Sequence, residues 1–134
     1  MILVDTSVWV TALRAARSPR IPLPPEALEL ARVVELDEVA ITDFVTAEVL
    51  QGAIDEAEYE ELADKLDAVH FFHATEETWL RAARRSFELM KRGLPTPLSD
   101  LVIAEVAMEY GLAVYTLDEH FERVDGLKLH KVGS

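Results

Sequence analysis

Four acidic residues stand at positions from which they could act together on one ligand. Asp5 and Asp118 each follow a short apolar run, and Glu48 and Asp100 lie in segments with helical spacing of apolar residues. If these side chains converge, carboxylates about 5 Å apart repel by roughly 3 kcal/mol per pair at an effective dielectric constant near 20. Such a cluster requires protons or a cation. Four hard oxygen donors, in a chain without cysteine, favour Mg²⁺ or Mn²⁺ over zinc.

Each acid also has a structural interpretation. Asp5 and Asp100 could cap helices or favour their dipoles, Glu48 could be a solvated side chain, and Asp118 could begin a turn. Helical phase argues against this interpretation for Glu48 and Asp100, because a solvated acid is expected among polar neighbours. The apolar residues in phase with them are Phe44 and Val45 for Glu48, and Ile103, Ala104 and Ala107 for Asp100.

The elements that must position these acids alternate between strand and helix. The unbroken apolar run 1–4 predicts a central strand that is buried on both faces and ends at Asp5. Ligands of open α/β sheets bind at such carboxyl ends of strands. We therefore predict an α/β fold of one domain over residues 1–134, with a central twisted parallel sheet of four to five strands and helices on both faces.

Local patterns predict the individual elements. Further strands are predicted at 39–41, 70–73 and 113–116, with an edge strand at 127–130. Two apolar helical stripes are predicted, the first of which could pack in the core or continue into an interface while the second is predicted to pack in the core, and a proline-rich ordered loop is predicted at 18–25. The stripes are Ala27, Leu30, Ala31 and Val34, and Trp79, Ala83, Phe87 and Met90. The predicted helices run from Thr6 or Ser7 to about 16, from Pro25 or Glu26 to about 37, from Thr42 or Asp43 to about 53, over 55–67, from Thr75 to 93, and from the turn at 94–97 to 111.

Composition limits the possible functions. The chain of 134 residues has 25 acids against 13 lysines and arginines, a net charge of −12, so RNA binding would require a local basic patch and bound cations. The absence of cysteine excludes disulfides and thiolate sites. We expect a cytoplasmic protein, since we find neither a secretory signal nor an apolar run of about 18 residues. No glycine precedes Gly52, which argues against a nucleotide cofactor.

Four motifs in order resemble those of PIN-domain nucleases, and the size and motif order are similar to VapC-like toxins of type II toxin-antitoxin pairs. The resemblance covers the whole chain. The motifs are Asp5-Thr6-Ser7, Glu48 within Ala47-Glu48-Val49-Leu50-Gln51-Gly52, Ser99-Asp100 leading into Ile103-Ala104, and Thr116-Leu117-Asp118.

The resemblance implies a metal-dependent endoribonuclease that cuts structured RNA such as tRNA or rRNA, uses Mg²⁺ or Mn²⁺, and is silenced by a small antitoxin. It assigns Asp5, Glu48, Asp100 and Asp118 as the metal-binding acids. Ser7 and Thr116 would steady the carboxylates from beside them, and a homodimer is expected. Many relatives have a further acid two positions after Asp118, where this chain has His120. His120 could contact a phosphate or could be a surface histidine.

The basic residues suggest where RNA would bind. Arg14, Arg17 and Arg20 lie at or just after the end of the first predicted helix, and Arg85 lies among the basic residues of the long helix. We predict RNA contacts at Arg14, Arg17 and Arg85, with antitoxin contacts as the alternative for Arg14 and Arg17 and a solvated face as the alternative for the long helix. Trp9 and Trp79 are predicted to pack in the core rather than to stack on bases.

Other functions remain open at this stage. A PIN-fold RNA-processing nuclease without an antitoxin would use the same chemistry. A catalytically silent PIN-like module would bind RNA or protein without cutting. A phosphoaspartyl enzyme also places an aspartate after its first strand, but such phosphatases need an acid where this chain has Ser7.

Overall fold

Four short parallel strands form the sheet at the centre of the molecule. The computed structural model describes residues 1–18 and 22–133, so Arg20 and part of the predicted loop at 18–25 lie outside the described residues. The strands are β1 (Ile2–Val4), β2 (Val39–Thr42), β3 (His70–Phe72) and β4 (Ala113–Tyr115), in the order β3-β2-β1-β4. The predicted parallel sheet is confirmed, with β1 at an inner position between β2 and β4.

Six α-helices and one short 3₁₀-helix connect and cover the described strands. The helices are α1 (Thr6–Ala16), α2 (Pro25–Glu35), α3 (Asp43–Gln51), α4 (Glu56–Asp67), α5 (Glu76–Lys91) and α6 (Leu98–Tyr110), and the 3₁₀-helix is Glu119–Arg123. Each predicted helix is present, and its ends lie within two residues of the predicted ones. In the described part of the chain, none of these helices combines the length and hydrophobicity that a membrane crossing requires.

The two faces of the sheet carry separate clusters of buried side chains. Ile2, Val4 and Tyr115 pack with Val8 of α1 and with Leu30 and Val33 of α2. Leu3 and Val114 point the other way and pack with residues of α3, α4, α5 and α6. Alternate residues of a strand face opposite sides, so both faces of β1 are buried, as its unbroken apolar run predicted. Helices therefore cover both faces of the sheet, and the acids lie at its carboxyl edge.

Two predicted apolar stripes are wrong in detail. On α2 the buried residues are Ala27, Glu29, Leu30 and Val33, whereas Ala31 and Val34 are exposed. On α5 the buried residues are Thr78, Ala82 and Leu89. The residues predicted to be core on α5 are exposed instead: Trp79, Ala83, Phe87 and Met90.

The predicted edge strand at 127–130 is reduced to a single bridge. Leu129 pairs with Val114 in parallel, with hydrogen bonds from Val114 N to Lys128 O and from His130 N to Val114 O. A buried hydrogen bond fixes this segment, since His130 Nε2 lies 2.6 Å from Glu29 Oε2 on α2. The sheet therefore has four strands in the described residues, at the lower end of the prediction.

Candidate active site

Asp5 is buried at the junction of β1 and α1, where parallel strands present their carboxyl ends. Although it occupies the position before the first turn of α1, its side chain makes no capping hydrogen bond. The carboxylate instead accepts hydrogen bonds at Oδ2 from Ser7 Oγ at 2.9 Å and from Thr116 Oγ1 at 2.8 Å. The structural interpretation of Asp5 as a helix cap is therefore wrong.

Ser7 and Thr116 connect Asp5 to the segment after β4. Thr116 Oγ1 also accepts the backbone N–H of Asp118 at 3.0 Å, and Ser7 Oγ accepts the backbone N–H of Leu117 at 3.0 Å. Each hydroxyl therefore donates to one carboxylate and orients the loop that carries another.

Asp100, Asp118 and His120 form the tightest group of ligand atoms among the described residues, with all three atoms within 4.8 Å of one another. His120 Nδ1 lies 3.0 Å from Asp100 Oδ2 and 2.9 Å from Asp118 Oδ1. Asp100 stands in the first turn of α6, and Asp118 precedes the 3₁₀-helix. Asp118 also accepts the backbone N–H of His120 at 2.9 Å, so its structural interpretation as a turn-forming residue is partly correct.

The electrostatics of Asp100 show how crowded the group is. Burial is the main cause that raises the pKa of the Asp100 carboxyl to about 6; the charges of Asp5 and Asp118 act in the same direction, and the hydrogen bond with His120 opposes them. Both charges act on Asp100, so the three aspartates share one electrostatic environment. A cation placed among them would relieve this repulsion.

Glu48 lies at the margin of this cluster. Its Oε1 accepts a hydrogen bond of 2.7 Å from Thr6 Oγ1, and Thr6 is the residue after Asp5. The side chain is partly buried on α3, as its helical phase predicted. Glu48 is thus anchored next to the aspartates, outside the compact group of Asp100, Asp118 and His120.

An open hollow beside the cluster could admit a substrate. Its volume is about 370 Å³, and its lining includes Ser7, Asp118, His120 and Arg123. The Arg123 guanidinium donates to Pro95 O at 2.7 Å, which fixes its position at this edge. Sequence reasoning missed Arg123, and the only available signal was its place in the segment that follows Asp118.

The donor set fits a hard divalent cation. Carboxylate oxygens of Asp100 and Asp118 lie with one imidazole nitrogen within 4.8 Å of one another, and Thr116 joins Asp5 to the segment that carries Asp118. Oxygen-rich sites of this kind suit Mg²⁺ and Mn²⁺.

The predicted RNA contacts differ in their surroundings. Arg14 is exposed on α1. Arg17 makes an ion pair with Glu58 of α4 and donates to Gly52 O at 3.3 Å. Arg85 makes an ion pair of 2.6 Å with Glu105, a buried residue of α6.

A family model named PIN domain matches residues 2–127. The chain belongs to the PIN-domain family. It is 34% identical over 125 residues to Ribonuclease VapC18 of Mycobacterium tuberculosis, an alignment that covers 90% of this chain and 85% of that protein. The prediction of a VapC-like PIN domain is therefore confirmed.

Solved structures show the same fold at low identity. The DNA-bound VapBC of Salmonella typhimurium matches with a TM-score of 0.74 and 18% identity, covering 96% of both chains. Mycobacterium tuberculosis VapC20, described as a sarcin-ricin loop cleaving toxin, matches with a TM-score of 0.68 and 19% identity, covering 98% of this chain and 100% of that one. The α/β PIN fold predicted from the motifs is thus confirmed.

Proposed function

We propose that this PIN-domain protein is a metal-dependent endoribonuclease, the toxin of a toxin-antitoxin pair, which hydrolyses phosphodiester bonds in structured RNA. The observation that carries the proposal is the grouping of Asp100 and Asp118 at the carboxyl edge of the sheet, joined to the buried Asp5 by the hydroxyl of Thr116. The ribonuclease name of VapC18, at 34% identity, supports the same reaction class.

The acids have distinct tasks in this proposal. Asp5, Asp100 and Asp118 would hold Mg²⁺ or Mn²⁺, and Glu48 would contribute from its position beside Thr6. When bound, the cation supplies Lewis-acid activation of water and of the scissile phosphate. Ser7 and Thr116 keep the buried Asp5 carboxylate in place through their hydrogen bonds to Oδ2. Arg123 offers a fixed positive charge to a phosphate in the hollow.

The partners follow from the relatives. Several matching structures are VapBC complexes, which supports a small antitoxin as the partner of this chain. The sarcin-ricin loop named for VapC20 supports structured RNA of the rRNA or tRNA class as the substrate. A short reading frame next to this gene, encoding a protein that blocks cleavage, would distinguish a toxin from a processing nuclease without an antitoxin.

Cleavage of RNA by purified protein tests the reaction directly. Wild-type protein with Mn²⁺ should cut a structured RNA, EDTA should stop it, and Asp5→Asn should lower the rate by at least about a thousandfold, in the range typical for loss of a catalytic group. The products should carry 5′-phosphate and 3′-hydroxyl ends. Equal cleavage by wild type and variant, cleavage by neither, or 2′,3′-cyclic phosphate products would contradict the proposal.

A further inference from the structure

His120 is the one non-acidic member of the tightest group of ligand atoms in the described chain. Its Nδ1 lies 3.0 Å from Asp100 Oδ2 and 2.9 Å from Asp118 Oδ1. His73, by contrast, is an exposed histidine with a single carboxylate contact, 3.2 Å from Nδ1 to Asp43 Oδ2. The side chain of His120 is therefore turned into the acid cluster, and its Nδ1 faces two carboxylates at once.

The distances suit a shared ion. Ligand atoms on adjacent corners of an octahedron with bonds of about 2.1 Å lie about 3.0 Å apart. Both Nδ1 contacts have this length, and all three ligand atoms lie within 4.8 Å. A neutral imidazole can carry its proton on Nε2 and leave Nδ1 free to bind a metal.

The backbone holds His120 in this orientation. Its N–H donates to Asp118 Oδ1 at 2.9 Å, at the first turn of the 3₁₀-helix Glu119–Arg123. Phe121, the next residue, is almost completely buried and fixes the helix to the core. Little conformational freedom must therefore be lost for Nδ1 to reach an ion held by Asp100 and Asp118.

We propose that His120 is a direct nitrogen ligand of the divalent cation and that it shifts the preference of the site from Mg²⁺ towards transition-metal ions. This inference rests on the proposed function and specifies its metal site. Mg²⁺ prefers oxygen ligands, whereas imidazole nitrogen binds first-row transition ions increasingly well from Mn²⁺ to Co²⁺. A carboxylate at this position would make the site harder and more favourable to Mg²⁺.

A purely hydrogen-bonding role for His120 makes a different prediction. If Nδ1–H only donated to the carboxylates, or served a phosphate, the bound metal would have no nitrogen neighbour. Glutamine could then replace much of its function. Spectroscopy of the bound ion distinguishes the two roles without any measurement of cleavage.

Pulsed electron paramagnetic resonance of Mn²⁺ bound to full-length protein is the test. Loss of the free Mn²⁺ signal reports binding, and an electron spin echo modulation from ¹⁴N reports a bound imidazole. We expect the nitrogen modulation in wild type and in His73→Gln, and its loss in His120→Gln and His120→Asp. In wild-type protein whose histidines are labelled with ¹⁵N, the ¹⁴N modulation should be replaced by a ¹⁵N coupling. This assigns the nitrogen to histidine even if a variant fails to fold.

Metal competition gives the second readout. His120→Asp should lower the ratio of Co²⁺ to Mg²⁺ affinity by about tenfold or more, the lower end of changes expected when a ligand environment is altered. His73→Gln should leave the ratio unchanged. An unchanged ratio in His120→Asp would contradict the shift in preference.

The outcomes separate this inference from the proposed function. Mn²⁺ bound by wild type without nitrogen modulation, or with modulation that persists in His120→Gln, overturns the ligand role and leaves a metal nuclease intact. Absence of Mn²⁺ binding by wild type overturns both. Nitrogen modulation that disappears only on substitution of His120 supports the inference.

Discussion

The position of Asp100 in the cluster makes the charged form of its carboxyl unfavourable. An unfolded aspartate has a pKa of about 3.9, and burial together with Asp5 and Asp118 raises the pKa of Asp100 in the folded chain to about 6. The folded protein therefore binds the proton more tightly than the unfolded chain. The Asp100 carboxyl therefore makes its full contribution to the stability of the fold below about pH 4. That contribution is lost as the pH rises through about 6.

Asp100→Asn should therefore stabilise the metal-free protein at neutral pH. In EDTA at pH 8 we expect the free energy of unfolding to rise by about 1 to 2 kcal/mol, less than the full shift implies because the site opens to solvent. The gain should shrink towards pH 4, where the wild-type carboxyl is protonated. Urea unfolding across this pH range measures it.

A matched substitution separates this effect from general charge reduction. Asp64 is exposed on α4, so Asp64→Asn removes the same charge outside the cluster and should change stability by less than about 0.5 kcal/mol. Added Mn²⁺ should stabilise wild type and Asp64→Asn but not Asp100→Asn. Destabilisation of the metal-free protein by Asp100→Asn would contradict the proposed crowding.

Thr116 is expected to support cleavage and metal binding because its hydroxyl joins Asp5 to Asp118. Its hydroxyl donates to the buried Asp5 carboxylate at 2.8 Å and accepts the N–H of Asp118 at 3.0 Å. Thr116→Val keeps the shape of the side chain but removes both bonds, so cleavage or metal affinity should fall by about 10 to 100-fold. Thr116→Ser should retain most activity. Single-turnover kinetics and metal titration would measure both, and equal losses in Val and Ser would point to packing instead.

At the residue scale, sequence predicted the aspartates better than their neighbours. A short apolar run ending in an acid fixes where Asp5 and Asp118 lie, because a buried strand must end at the sheet edge. The partner of each side chain depends on loops that approach from elsewhere. His120 could therefore be located two positions after Asp118, but its contact with Asp100 could not be inferred from spacing alone.

At the element scale, the packing of α5 against α6 is fixed by a buried charge. Glu105 of α6 is only 5% exposed, and both Arg85 and Arg81 of α5 reach its carboxylate, at 2.6 and 3.5 Å. The arginines on this face of α5 therefore pair with α6. Glu105 lies about 140° around the helix from Asp100, at about 100° per residue, so this network faces away from the acids.

Arg85→Ala should accordingly have a larger effect on the free energy of unfolding than on the affinity for RNA. Removal of one partner from a buried pair costs about 3 to 5 kcal/mol, and because Arg81 remains we expect about 1 to 3 kcal/mol. Arg84→Ala is the matched control, since Arg84 is exposed and its contacts, an ion pair with Glu88 and stacking over Phe87, stay within its own helix; it should cost less than about 0.5 kcal/mol. Urea unfolding would measure both. A loss of RNA affinity with unchanged stability in Arg85→Ala would instead favour the predicted RNA contact.

The errors in the helical stripes have a common physical cause. On α5 the predicted stripe at Trp79 and Phe87 is more hydrophobic than the face that packs, because that face presents the small residue Ala82 and the arginine Arg85, which pairs with Glu105 of α6. A hydrophobic pattern identifies the core face only when the facing element is apolar. On α2, Glu29 is buried because Arg32, one turn away, forms an ion pair with it and His130, distant in sequence, lies within hydrogen-bond distance of it.

At the scale of the whole molecule, the fold itself was predictable. Alternating strands and helices with right-handed crossovers leave few arrangements for a parallel sheet, and the observed order β3-β2-β1-β4 places Asp5 beside the segment that follows β4. That adjacency brings Thr116 to Asp5. Sequence could not decide the fifth strand, because a single bridge at Leu129 and the hydrogen bond between His130 and Glu29 replace a strand ladder.

The net charge of −12 makes local arginines decisive for RNA binding. A strongly acidic protein repels the RNA backbone at long range, so affinity must arise from a few contacts and from bound cations. Arg14 and Arg17 were both predicted to contact RNA, but Arg17 pairs with Glu58 whereas Arg14 is exposed on the same helix. We therefore expect Arg14 to carry more of the interaction.

Arg14→Ala and Arg17→Ala form a matched pair for this prediction, because each removes one arginine from the end of α1. Arg14→Ala should lower kcat/KM for RNA cleavage severalfold at low salt and reduce the slope of its logarithm against log salt by about 1, as expected for one lost phosphate contact. Arg17→Ala should change that slope less and should reduce stability through the lost contact between α1 and α4. Single-turnover cleavage at several salt concentrations, with urea unfolding of the same variants, measures both effects. A larger change in slope for Arg17→Ala would reverse the assignment, because it would mean that RNA displaces Glu58 from the Arg17 guanidinium.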